Sequence, residues 1–211
     1  MQHATGDAAV VAEILRQRVG ENVEALSGCL VETPAFTRAV MLVRNCLENG
    51  GKILLCGNGG SASAASNIVN DFIGHIYFDR PSLGAICLAD NTSTVTALAN
   101  DCGYDQIFGR QVEGLGRPGD VLIGFSTSGN SPNVLLAAEA ARVKGMPVIG
   151  LTNSAGGKLA KMADVWLRSS SLEAVCSEHV HLVMIHTLGE CVERLLYHDQ
   201  PAWASRKPAR K

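Results

Sequence analysis

The segment FSTSGNSP, residues 125–132, sets three serines and a threonine around one glycine, directly behind an apolar run. Ser131 is placed to cap a following helix and Pro132 suits its first position. One capping serine would suffice for that. Ser126, Thr127 and Ser128 add three further hydroxyls at a strand end, and Gly129 lets backbone amides converge beside them. The loop contains no lysine or arginine, so a phosphate held there would be gripped by neutral donors and a helix dipole. A second loop, GNGGS (57–61), follows the run KILLC. Its glycines permit close backbone approach to a ligand, and the helix behind it offers unpaired N–H groups. Its spacing fits neither a dinucleotide GxGxxG nor a Walker lysine motif.

Both loops need elements to hold them. Five short apolar runs, KILLC (52–56), GAICL (84–88), DVLIGF (120–125), PVIGL (147–151) and DVWLR (164–168), alternate with helical segments at 61–74, 92–101, 132–145 and 156–163. Fully apolar strands between helices predict an α/β three-layer sandwich with a five-stranded parallel sheet, whose ligands bind beyond the carboxyl ends of the strands. A last helix is expected from about Leu172 to Leu196. Two helices precede the first strand: one from the spacing of Val10, Val11, Ile14, Leu15 and Val19, the other from Pro34 to the Asn49–Gly50–Gly51 stop. The expected division is a helical extension for packing or oligomerisation (1–51), an α/β domain that carries both loops (52–200) and a basic tail (201–211) that reads as a frayed terminus.

With 211 residues, 46% hydrophobic and 18% charged, the chain suits one globular domain with a sizeable core. A formal charge of −2 gives no electrostatic footprint for nucleic acid. Seven scattered cysteines without a CxxC pair suggest neither a disulfide framework nor a thiolate zinc site. No signal core and no apolar run of spanning length is read from the sequence, so no membrane role and a cytoplasmic location are expected.

The pair CGNGGSA and FSTSGNS resembles the signatures of the sugar isomerase (SIS) domain. FDRPSLGAICL, TALANDCGYDQIF, RQVEGLGRPGDVL and AARVKGMPVIGLT resemble the phosphoheptose isomerases, so that the likeness covers nearly the whole chain. It implies a homotetramer with sites between subunits, interconverting sedoheptulose 7-phosphate and a heptose 7-phosphate, many relatives using zinc. It also implies that Ser126, Thr127, Ser128 and Ser131 hold the phosphate, and that Asn58, Gly59, Gly60, Ser61, Asn100 and Asp101 line the substrate.

The chemical groups depart from the family pattern. Where the family has a histidine and, four residues on, a glutamate, this chain has Asn67 and Asp71. Where the family has a glutamine and, eight residues on, a histidine, it has Glu178 and His186. By resemblance Asp71 is the base and His186 the acid of an enediol isomerisation, with Glu178 a second candidate base. The tentative metal set is Asp71, Glu178, His186 and Asn67, although asparagine is a poor zinc ligand. His75, four residues beyond Asp71, and His181, three beyond Glu178, are candidate replacements. A rewired zinc site, a weaker one and a metal-free one all remain open. Glu178 and His186 stand about 12 Å apart along a helix, so serving one site requires different subunits or a helix break. The alternative reading is a non-catalytic tetrameric sugar-phosphate-binding scaffold, resembling a relative that assists the replication initiator; a turnover assay separates the two.

Overall fold

The computed structural model describes residues 2–77 and 79–197; the tail 201–211 lies outside the described residues. The five apolar runs form β1 (Ile53–Cys56), β2 (Ala85–Cys87), β3 (Val121–Phe125), β4 (Val148–Thr152) and β5 (Val165–Arg168). All pairings are parallel, in the order β2-β1-β3-β4-β5, with Cys56 opposite Gly124 and Phe125 opposite Leu151. Successive side chains of a strand point to opposite faces. Ile53, Leu55, Ile123 and Leu151 therefore enter one core, and Leu54, Cys56, Leu122 and Val148 the other. Apolar residues at every position are what a sheet covered on both sides requires.

The helices supply that cover. In chain order they are α1 (Gln2–Gly28), α2 (Thr33–Glu48), α3 (Gly60–Ile73), α4 (Thr92–Cys102), α5 (Gly109–Leu115), α6 (Pro132–Val143), α7 (Gly157–Met162) and α8 (Ala174–Tyr197). α2, α3 and α8 pack over the first core, whereas α4 to α7 contribute to the second. This is the expected three-layer sandwich. α5 was not foreseen, because a seven-residue helix with internal glycine carries too little apolar pattern to read.

Asp120 ties the amino-terminal end of the sheet together. Its carboxylate accepts the Lys52 amide at 2.9 Å and the Arg117 amide at 2.9 Å, joining the entries to β1 and β3. The carboxyl-end loops of those two strands start from this fixed register.

α1 and α2 meet at a 3-10 turn, Cys29–Glu32, whose Glu32 pairs with Arg168 at 2.7 Å. Asp7–Glu48 as a whole is long and apolar enough to cross a membrane by length and composition, which amends the expectation drawn from individual apolar runs. It is two helices, however, and α2 buries Ala39, Val40, Val43, Cys46 and Leu47. The apolar stripe of α1 forms as its spacing predicts, yet Val10, Val11, Ile14, Leu15 and Val19 are each more than half exposed.

Candidate active site

β1 and β3 are neighbours in the sheet, but the helices that follow them, α3 and α6, lie on opposite faces. The two loops therefore diverge and leave a crevice at the point where strand order reverses. Two amides bridge it. Asn58 Nδ2 donates to Asn133 Oδ1 at 2.9 Å, and Asn133 Nδ2 donates back to Asn58 Oδ1 at 2.8 Å. The Tyr104 hydroxyl donates to the same Asn58 oxygen at 2.9 Å. Neither Asn133 nor Tyr104 was singled out from the sequence, since the amide pairing joins positions 75 residues apart.

The serine loop is built on Ser126, which is buried at the end of β3. Its Oγ lies 2.9 Å from Ser131 Oγ and accepts the Ser131 amide at 3.3 Å. Ser131 stands at the N-cap of α6 but makes no capping bond with its side chain, correcting the expected role: its hydroxyl is committed to Ser126. Pro132 occupies the first turn as expected. Thr127 is half-buried and Ser128 exposed, both at the crevice rim. Gly129 has φ +66° and lies under the Gly156 carbonyl, so any side chain there would be strained and would collide. The β4–α7 loop backs this turn: the Asn153 amide donates to Thr127 O at 2.8 Å and the Leu159 amide to Gly129 O at 2.9 Å. The loop is thus held from behind with its hydroxyls forward, a shape suited to an oxyanion at a helix N-terminus.

On the GNGGS side, Gly59 and Gly60 are exposed at the start of α3, and Ser61 is buried against Gly57. Gly60 has a steric purpose. A Cβ there would come within 2.7 Å of Glu178 Cδ, so the carboxylate of α8 rests directly on the first turn of α3. A carboxylate is favoured at that positive helix end. Asn100 and Asp101 are exposed near the end of α4 and bond each other at 2.8 Å; among the described residues no hydrogen bond links them to the two loops.

Asp71 and His186 meet at the other end of α3. Asp71 Oδ2 lies 2.7 Å from His186 Nδ1, with the side chains 18% and 39% exposed, so the pair is reachable by a ligand. Asn67 is exposed one turn before Asp71. His75 is not on this face: α3 ends at Ile73, Gly74 is its C-cap, and His75 lies exposed beyond it. His181 does not replace a ligand either. It is buried, with Nε2 3.0 Å from Thr152 O and its ring 6.3 Å edge-on from Phe125. Burial drives its pKa down to about 4, against the opposing effect of the Thr152 hydrogen bond, so it is neutral.

Gly60 meets Glu178 and Asp71 meets His186, so α3 and α8 run side by side in the same direction. Eleven residues of helix separate Gly60 from Asp71, about 16 Å. α8 is unbroken across Glu178 and His186, which removes a helix break as the way to join them. One chain thus carries the two loops with Glu178 at one end of α3 and the Asp71–His186 contact at the other. No three His, Cys, Asp or Glu side chains gather into a metal-binding group among the described residues, so one chain alone does not fit a zinc ion.

The sequence profile of the SIS domain matches residues 21–153. The chain belongs to the SIS domain family. This SIS protein is 47% identical over 163 residues to the phosphoheptose isomerase of Rhodospirillum rubrum, covering 77% of this chain and 87% of that one. It is 42% identical over 190 residues to the phosphoheptose isomerase of Helicobacter pylori, covering 90% and 99%. The solved phosphoheptose isomerase of Neisseria gonorrhoeae superposes on the SIS protein with a TM-score of 0.82 at 38% identity, covering 87% of this chain and 98% of that one.

Proposed function

We propose that this SIS protein is a phosphosugar isomerase acting on sedoheptulose 7-phosphate, which it converts to a heptose 7-phosphate through an enediol. Relatives named phosphoheptose isomerase, matched at 42–47% identity, support the isomerase class over a non-catalytic scaffold. The observation that carries the chemistry is the 2.7 Å contact between Asp71 and His186. Aldose–ketose exchange needs a base and an acid beside two adjacent carbons. Asp71 takes the proton from C1 of the ketose while His186 gives one to O2, forming the enediol. His186 then recovers a proton from the O1 hydroxyl and protonated Asp71 delivers one to C2, leaving the aldose. Their mutual hydrogen bond keeps both groups oriented. Ser126, Thr127, Ser128 and Ser131 hold the phosphate, with Asn58, Gly59, Gly60 and Ser61 along the sugar and Asn100 and Asp101 at the rim.

A separation of about 16 Å between the ends of α3 is farther than a seven-carbon chain reaches. The phosphate half with Glu178 therefore works with the Asp71–His186 pair of a second copy. The exposed stripe of α1 supports such assembly, as does an apolar groove of about 190 Å³ lined by Leu26, Leu30, Phe36, Val183 and Met184. The reading is a homotetramer with shared sites. Were zinc bound, Asp71, His186 and Glu178 from neighbouring copies would hold it, Asn67 would add little, and the ion would polarise the sugar oxygens. Metal analysis of the purified oligomer tests this. All seven cysteines are free, which suits a reducing cytoplasm.

The test is incubation with sedoheptulose 7-phosphate, following aldose formation. Asp71→Asn and His186→Ala are each expected to lower kcat by about a hundredfold or more while phosphosugar binding persists. Binding without turnover in the unaltered protein would restore the scaffold reading.

A further inference from the structure

The Asp71–His186 contact depends on where the last turn of α3 is held against α8, and a second, fully enclosed ion pair sits at that junction. Arg80 and Glu193 lie 2.8 Å apart with each side chain 1% exposed. Arg80 also donates to the backbone carbonyls of Asp71 at 2.6 Å, Phe72 at 2.9 Å and Pro81 at 3.0 Å. The first two are carbonyls of the final turn of α3, which the helix itself leaves unpaired. Glu193 accepts the amides of Ile76 and Tyr77 at 3.0 Å each, gripping the chain as it leaves α3.

Glu193 follows His186 by seven residues, two helical turns, so both project from one face of α8. Between them lies Gly189, where an added Cβ would stand 3.1 Å from the tips of Ile68 and Ile76. The missing side chain lets α3 and α8 approach closely. That face therefore holds Asp71 twice: His186 meets its carboxylate and Glu193, through Arg80, meets its backbone carbonyl. An enclosed charge pair is a poor way to gain stability, but the hydrogen bonds of this one tie the end of α3, the segment after it and α8 to one another. Aspartate is a short carboxylate, and close docking of the helix end compensates for its limited reach.

We propose that Arg80 and Glu193 are positioning residues of the isomerisation, fixing the end of α3 so that Asp71 is held on His186. The proposal rests on the catalytic roles assigned above to that pair. Its test is steady-state kinetics of Arg80→Lys and Glu193→Gln in the full chain with sedoheptulose 7-phosphate. Both should lose at least about tenfold in kcat, since small displacements of reacting groups are costly, while KM stays within about twofold because the phosphate loop is untouched. Adding Asp71→Glu to Arg80→Lys should restore part of kcat by lengthening the carboxylate, an effect that a merely structural role would not give. Folded variants with unchanged kcat, a rise in KM matching the fall in kcat, or failure of both variants to fold would each overturn the proposal. Should the unaltered protein itself show no turnover, the functional reading fails instead. The proposal is then judged by a crystal structure of Arg80→Lys, in which the Asp71–His186 separation must open beyond about 3.5 Å.

Discussion

His181 gives up its charge to sit beneath the ligand loops, and the cost appears in acid. In the folded chain its pKa falls from 6.5 to about 4 because it is desolvated. Between those values the unfolded chain binds the extra proton and the folded chain does not, so stability declines as pH falls from 6.5 toward 4. The loss is roughly 3 kcal/mol at its limit. Urea melts at pH 7 and pH 4.5 should show it, and His181→Gln should flatten the difference. Ser126 makes a different prediction: Ser126→Ala removes the hydroxyl that organises Ser131, and KM should rise about tenfold or more with a smaller change in kcat. The hydroxyl loop was legible in sequence because its polar residues are contiguous. Asn133 and Tyr104 were not, because an amide pair across a crevice leaves no local pattern.

At the scale of the element, α3 begins at the GNGGS loop and ends at the Asp71–His186 contact. Gly60→Ala should fold, because the atoms that it displaces belong to the flexible Glu178 side chain. It should reduce turnover about as much as Glu178→Gln does, and kinetics on both variants, singly and combined, would show the effects failing to add. The five strands were legible because β1, β3 and β4 are buried at every position and the other two are buried or half-buried throughout, which makes each a short apolar run. The reach of α3 was not. Its helical rhythm suggests a polar stripe through His75, but the backbone turns away at Gly74, and the Arg80 that caps the end arrives from the following loop. Gly60 likewise reads as a flexible turn residue, when its lack of a side chain makes room for a carboxylate from a helix more than a hundred residues later.

For the whole molecule, the sheet order sets the crevice and the parallel course of α3 and α8 sets the Asp71–His186 contact apart from it. A shared site predicts complementation. His186→Ala and the double variant Ser126→Ala/Ser128→Ala should each be nearly inactive alone, yet mixed and reassembled oligomers should regain a measurable fraction of activity. No recovery would mean that one copy holds a complete site. Val11→Asp with Leu15→Asp, on the exposed stripe of α1, should shift the oligomer to smaller species by light scattering and abolish turnover, while far-ultraviolet circular dichroism stays unchanged. The stripe was visible as a periodicity, but its exposure was not, since a repeating apolar face reads the same whether it covers a core or a neighbour.

α8 carries Glu178, His181, His186 and Glu193 on a single unbroken rod of 24 residues. Each residue of a helix turns the next by about 100°, so deleting one position between His181 and His186 would rotate everything beyond it away from α3. Asp71 and Arg80 would lose their partners together, while Glu178 kept its seat on Gly60. The spacing along this rod works as an indexing device. Sequence divergence can change its side chains one at a time, but its length between those stations is not free to drift.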